Sequence, residues 1–107
     1  MTDDSKVREV ASLVTYQPGS VVSKVLMKVP NGSVTLFAFS AGSELSEHTA
    51  PFEAMVHVVD GRAEIGVAGE AHDVNAGEMI HLPANVPHWV KAASDFKMIL
   101  TMIRSAT

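Results

Sequence analysis

The chain has 107 residues, of which 47% are hydrophobic and 19% charged, with a formal net charge of −4 and no cysteine. That length and apolar content suit one domain with a two-layer core and exclude a disordered chain. The acidic balance and the lack of a basic stripe interleaved with aromatics exclude nucleic acid as a partner. Zero cysteines exclude disulfides, thiolate metal sites and cysteine nucleophiles.

Taken in order, the opening MTDDSKVREVASLV is acidic first and has no long apolar core, so it does not read as a signal peptide. No stretch approaches the ~18 apolar residues of a membrane helix, so no membrane partner is expected and the default location is the cytoplasm. Residues 3–14 read either as a short helix capped by Asp4 or Ser5, with Val7, Val10, Ala11 and Val14 on one stripe, or as an irregular lead-in strand. Tyr16-Gln17-Pro18-Gly19 is a turn, which divides a lead-in, residues 1–19, from the body, residues 20–107.

From there the pattern is β. Val21–Val29 alternates, with Lys24 and Lys28 expected on one face. Pro30-Asn31-Gly32 turns, since Asn and Gly tolerate positive φ, and residues 33–40 return as a β-branched and aromatic strand. After the turn Ala41-Gly42-Ser43, residues 53–59 run into Asp60-Gly61, the strongest hairpin signal in the chain, with Arg62–Val67 leading back out. Residues 70–74, Met79–Leu82, His88–Ala92 and 96–104 complete the set, separated by Ala68-Gly69, Asn75-Ala76-Gly77, the loop at residues 83–87 and Ala93-Ser94-Asp95. Short strands at a spacing of about 8–12 residues predict an all-β antiparallel sandwich or barrel.

Chemistry in a cysteine-free chain falls to the five histidines, His48, His57, His72, His81 and His88. His48 and His88 stand where strands meet loops, and such positions on neighbouring antiparallel strands converge in space. Imidazole suits Zn, Fe, Cu and Ni, while Mn also takes carboxylate and water. His72 and His81 read as surface side chains, and the methionines in strand patterns read as core filler. Trp89, beside His88, reads as covering a pocket mouth or lying in a dimer interface. Ser46-Glu47-His48 is local sequence with no triad geometry, and there is no phosphate loop.

Two spacings now carry a resemblance. Gly42, His48, Ala50, Ala54 and Gly61 follow G-x5-H-x-H-x3-E-x6-G in spacing, and Gly77, Pro83, Asn85, His88 and Ala92 follow G-x5-P-x-G-x2-H-x3-N. The chain resembles a small single-domain cupin over about residues 20–104, nearest to the HTAPF-type subgroup, which has no assigned reaction. The resemblance implies an antiparallel double-stranded β-helix, or jelly-roll barrel. Cupins bind a metal through two histidines and a glutamate of the first motif and the histidine of the second. Here only His48 and His88 stand at such positions, because Ala50 replaces a histidine and Ala54 the glutamate. Alternation puts residues 48, 50, 54, 56 and 58 inward and His57 outward. A bulge would bring in His57 or Glu53, so His57 is retained as a possible third ligand.

Two functions follow. The first is a barrel that binds a small molecule in its interior, with Ala50, Phe52, Ala54, Val56 and Val90 lining the pocket and the two imidazoles as convergent polar groups. The second is a metal-dependent enzyme of oxygenase or isomerase type, with Zn, Fe, Ni, Mn or Cu on His48 and His88 plus a third ligand or waters. In either case the resemblance implies a homodimer, for which the apolar strand Val21–Val29 is suited.

Overall fold

A computed structural model describes residues 5–104. It contains one turn of 3-10 helix, Val10–Leu13, followed by nine strands. They are β1 (Val21–Val29), β2 (Gly32–Phe39), β3 (Glu44–His48), β4 (Glu53–Asp60), β5 (Arg62–Val67), β6 (Glu70–Asn75), β7 (Met79–Leu82), β8 (His88–Ala92) and β9 (Phe96–Ile103). They form a five-stranded sheet in the order β1-β2-β9-β4-β7 and a four-stranded sheet in the order β3-β8-β5-β6. Every ladder between them is antiparallel, as in a jelly roll. Among the described residues no helix is long and apolar enough to cross a membrane.

The main core lies between the two sheets and follows strict alternation. Val56 and Val58 of β4, Ile65 of β5, Val90 of β8 and Phe96 and Met98 of β9 are all buried there. Phe39 stacks on Phe96 with ring centroids 4.6 Å apart, which ties β2 to β9 across one rung of their ladder. A smaller core forms on the outer side of the five-stranded sheet, where Val14 from the lead-in packs on Leu36 and Ala38 of β2. Two polar contacts pin the same segment. The Tyr16 hydroxyl donates to the Asp60 carboxylate, and the Lys97 ammonium donates to the Ala11 carbonyl at 2.5 Å. Burial, then the Asp60 contact, pushes the Tyr16 hydroxyl well above its ordinary pKa.

Three local expectations change, and one strand is added. The lead-in is neither a capped helix nor a strand. Its single helical turn is preceded by Glu9, whose side chain makes no capping bond, and Ser5 lies outside it; Asp4 falls outside the described residues. Residues 44–48 pair with β8 as a strand although only Leu45 among them is apolar, because the ladder and not burial holds them. Lys24 and Lys28 do not share a face, because Leu26 bulges out of the β1–β2 ladder and reverses the phase beyond it. Finally, Asp60-Gly61 is not a hairpin. β4 pairs with β7 and β9 and β5 with β6 and β8, so this turn carries the chain from one sheet to the other. Gly61 has φ 72°, and a Cβ there would lie 2.0 Å from the Asp95 carbonyl oxygen, so the crossing requires glycine twice over. Gly32 also serves by its small size and not by its φ, since its missing Cβ admits the Met102 carbonyl.

Candidate functional site

His48 ends β3 and His88 begins β8, and the two are register partners. Their rings meet edge-on with centroids 4.3 Å apart. Each is oriented in the same way: Nδ1 lies 2.8 Å from the Ser46 carbonyl oxygen in one case and 3.2 Å from the Val86 carbonyl oxygen in the other. A carbonyl can only accept, so both Nδ1 atoms carry the proton, and in a neutral ring Nε2 is then a bare acceptor. Burial, and then the neighbouring His48, push the His88 pKa down, against the opposing pull of the Val86 carbonyl. The neutral form of His88 is thereby favoured.

The loop at residues 83–87 sets the His88 ring. Asn85 adopts φ 63°, which asparagine tolerates, and its amide donates to the Ala50 carbonyl at 2.8 Å. The Ala84 amide donates to the Glu53 carboxylate at 3.3 Å. The other Glu53 oxygen lies 2.6 Å from His81 Nε2. That hydrogen bond, and then the Ala84 amide, hold the Glu53 carboxyl below the usual carboxylate range.

Beneath the imidazole pair is a cavity of about 80 Å³. Ala50, Phe52, Ala54 and Val90 line it with the two histidines. Val56 does not; it stands between Leu100 and Ile80 in the sheet and is fully buried in the core. Leu45, Leu82, Met98, Leu100 and Met102 complete the wall. The sequence signal for these last three was present, since Phe96, Met98, Leu100 and Met102 alternate along β9.

His57 is exposed on the outer face, opposite Met79 and Ile99. The β4 bulge lies between Val58 and Asp60, beyond His57, so it does not turn that ring inward. His72 faces Ile65 on the edge strand β6 and is likewise remote from the pair in the sheet. Among the described residues no three His, Cys, Asp or Glu side chains come together in a way that could hold a metal ion. Methyl groups at Ala50 and Ala54 occupy the wall where further ligands would have to stand, so the donor set does not fit a four-ligand resident metal. Trp89 is on the outer side of the four-stranded sheet, away from the cavity wall, facing Gly66. Lys91 Nζ sits 4.9 Å from its ring centroid.

Two face-packed antiparallel sheets with a small histidine-edged cavity at one end define a jelly-roll barrel protein of the cupin class. The family model described as a cupin domain matches residues 35–104, and the chain belongs to that family. Among solved structures it is similar to a conserved protein of unknown function from Streptococcus pyogenes, at 29% identity and a TM-score of 0.91, over 96% of this chain and 90% of that one. A cupin 2 conserved barrel domain protein from Leptotrichia buccalis is 41% identical with a TM-score of 0.84, over 88% of this chain and 46% of that one. A cupin superfamily protein from Desulfitobacterium hafniense shares the fold at 22% identity and a TM-score of 0.89, over 94% of this chain and 93% of that one. No curated protein matches the chain by sequence.

Proposed function

We propose that this cupin binds a small, largely apolar molecule whose hydroxyl or amino group donates to Nε2 of His48 and His88. The observation that carries the reading is the anchoring of both Nδ1 atoms on backbone carbonyls, which leaves two acceptors and no donor at the edge of an apolar cavity. Ala50 and Ala54 supply the apolar wall. A cavity of about 80 Å³ takes only a few non-hydrogen atoms, so the ligand, or the part of it that enters, is small. Methanol, ethanol and other short alcohols are suitable probes. They should raise the melting temperature of the parent protein and lose that effect in His48→Gln and His88→Gln. An unchanged effect in both variants overturns the reading.

A second reading is a metal-dependent enzyme in which His48 and His88 hold a divalent ion weakly, with water in the remaining positions. One observation favours it: a histidine whose Nδ1 is tied to a backbone carbonyl presents Nε2 as metal-binding histidines do. Metal analysis of untagged protein separates the two. Stoichiometric metal that is lost in His48→Ala supports the enzyme, and substoichiometric metal unchanged in that variant sinks it. A homodimer is also proposed by pairing along the free edge of β1, a strand bonded on one side only and carrying exposed Met27 away from the Phe52 side of the sheet.

A further inference from the structure

A second concavity, about 390 Å³, lies under the hairpin of β1 and β2, and its chemistry differs from that of the histidine cavity. Its polar lining is Lys28, Arg104, Ser33 and Thr35, with no carboxylate among the lining residues. In a chain with twelve acidic and eight basic residues this is a local reversal of charge.

The arrangement is built by the fold. The Leu26 bulge puts Lys24 opposite Leu36 but Lys28 opposite Ser33, which delivers Lys28 to the groove side of the sheet. Arg104 is fixed at the end of β9 by its amide, which donates to the Asn31 carbonyl at 2.7 Å. Its guanidinium lies over the Phe52 ring at 4.8 Å from the centroid. Stacking uses the face of the guanidinium and leaves its N–H edge for an acceptor. Neither cation is ion-paired, and neither Ser33 nor Thr35 has a side-chain hydrogen bond, among the described residues. Phe52 and Met102 give the groove an apolar floor, and both also line the histidine cavity.

We propose that this groove binds a small organic carboxylate with an apolar body, its carboxylate held by Lys28 and Arg104 and its hydrocarbon resting on Phe52 and Met102. Charge complementarity chooses the anion. Charge-assisted bonds to guanidinium and ammonium groups are the strong ones, and the floor rewards a hydrocarbon that inorganic anions lack. The site uses neither imidazole, so loss of the histidines and loss of the two cations are separable in experiment.

The test is an amide NMR titration of the full chain with hexanoate and, separately, hexan-1-ol. Hexanoate should shift the amides of Ser33, Thr35 and Arg104. The double variant K28Q/R104Q should weaken its binding by roughly tenfold or more, the loss expected when charge-assisted bonds are removed. Hexan-1-ol should bind more weakly at these amides and be indifferent to the double variant, while K28R should retain hexanoate binding. Equal hexanoate affinity in K28Q/R104Q, shifts confined to the surroundings of His48 and His88, or no shift at the groove amides would each overturn the proposal. Sedimentation run in parallel identifies one such case: groove amides that respond to protein concentration and not to hexanoate mean that a second copy of the chain covers the groove.

Discussion

The Glu53 carboxylate bridges from β4 to His81 on β7, 2.6 Å away, and onward to the amide of Ala84 in the loop that delivers His88. An exposed pair of this kind contributes little to global stability. Its effect is local: it fixes where the second histidine of the site emerges.

Glu53→Gln should therefore leave the unfolding midpoint nearly unchanged while speeding hydrogen exchange at Ala84 and Asn85. Because the Glu53 carboxyl is held below its ordinary range, its contribution is present above the unfolded-state value and disappears as the pH falls through the folded-state value. The exchange rates of parent and variant should accordingly converge in acid. Rates that already coincide at neutral pH would show that the loop is held by Asn85 and Ala50 alone.

His88 has the same sign for a different reason. Its pKa is lowered in the folded state, so between that value and the ordinary 6.5 the unfolded chain binds more protons. Stability should rise as the pH climbs toward 6.5 and then level off. In His88→Gln the slope of melting temperature against pH should be shallower over that range. An identical slope in the variant would assign the dependence to other groups.

A Cβ on Gly66 would come within 2.0 Å of the Trp89 indole, which fills the space above the glycine. Gly66→Ala should displace the ring, alter the fluorescence of the chain's one tryptophan and cost about 1–3 kcal/mol, the usual penalty of overpacking. In a Trp89→Ala background the same substitution should cost much less, and a urea double-mutant cycle measures the difference. Additive effects would mean that the contact carries no energy.

Ala54 lines the histidine cavity opposite Leu82 and Met102, and Ala50 lines it beside the loop amide of Asn85. Their side chains thus point where metal ligands would be needed. Ala50→His combined with Ala54→Glu should create a zinc site with His48 and His88. Added zinc should then raise the melting temperature, by roughly 2.7 kcal/mol of stabilisation at a hundredfold excess over Kd. Calorimetric titration of parent and variant reads this directly. Equal zinc binding by both would show that the two methyl groups are not what weakens the site.

The barrel was legible because its determinants are local. The β-branched runs, the turn residues between them and the two motif spacings all act within a few residues, and β1, β5, β7 and β8 have the predicted bounds. What was not legible depends on contacts distant in sequence. Asp60-Gly61 has hairpin chemistry, yet it joins different sheets because β4 is claimed by β9 and β7. The Leu26 bulge leaves no mark in an alternating valine-rich strand, yet it decides which lysine faces the groove. At the site, alternation placed Ala50, Ala54 and outward-facing His57 correctly. It could not show that Val56 is packed wholly into the core while its register partner Leu100 reaches the cavity, because that depends on side chains from the opposing sheet.

The position of β9 between β2 and β4 bears on how the protein is made. On the ribosome β2 has only β1 beside it, and β4 only β7, until residues 96–103 emerge. The two halves of the five-stranded sheet must wait for a strand made nearly sixty residues after β2, given the bounds Gly32–Phe39 and Phe96–Ile103. Closure of the barrel is therefore a late event in the life of the nascent chain. Until then Phe39 lacks Phe96, on which it stacks, and Val56 lacks its β9 neighbour Leu100. That interval, and not the finished fold, is when this chain is most exposed to aggregation.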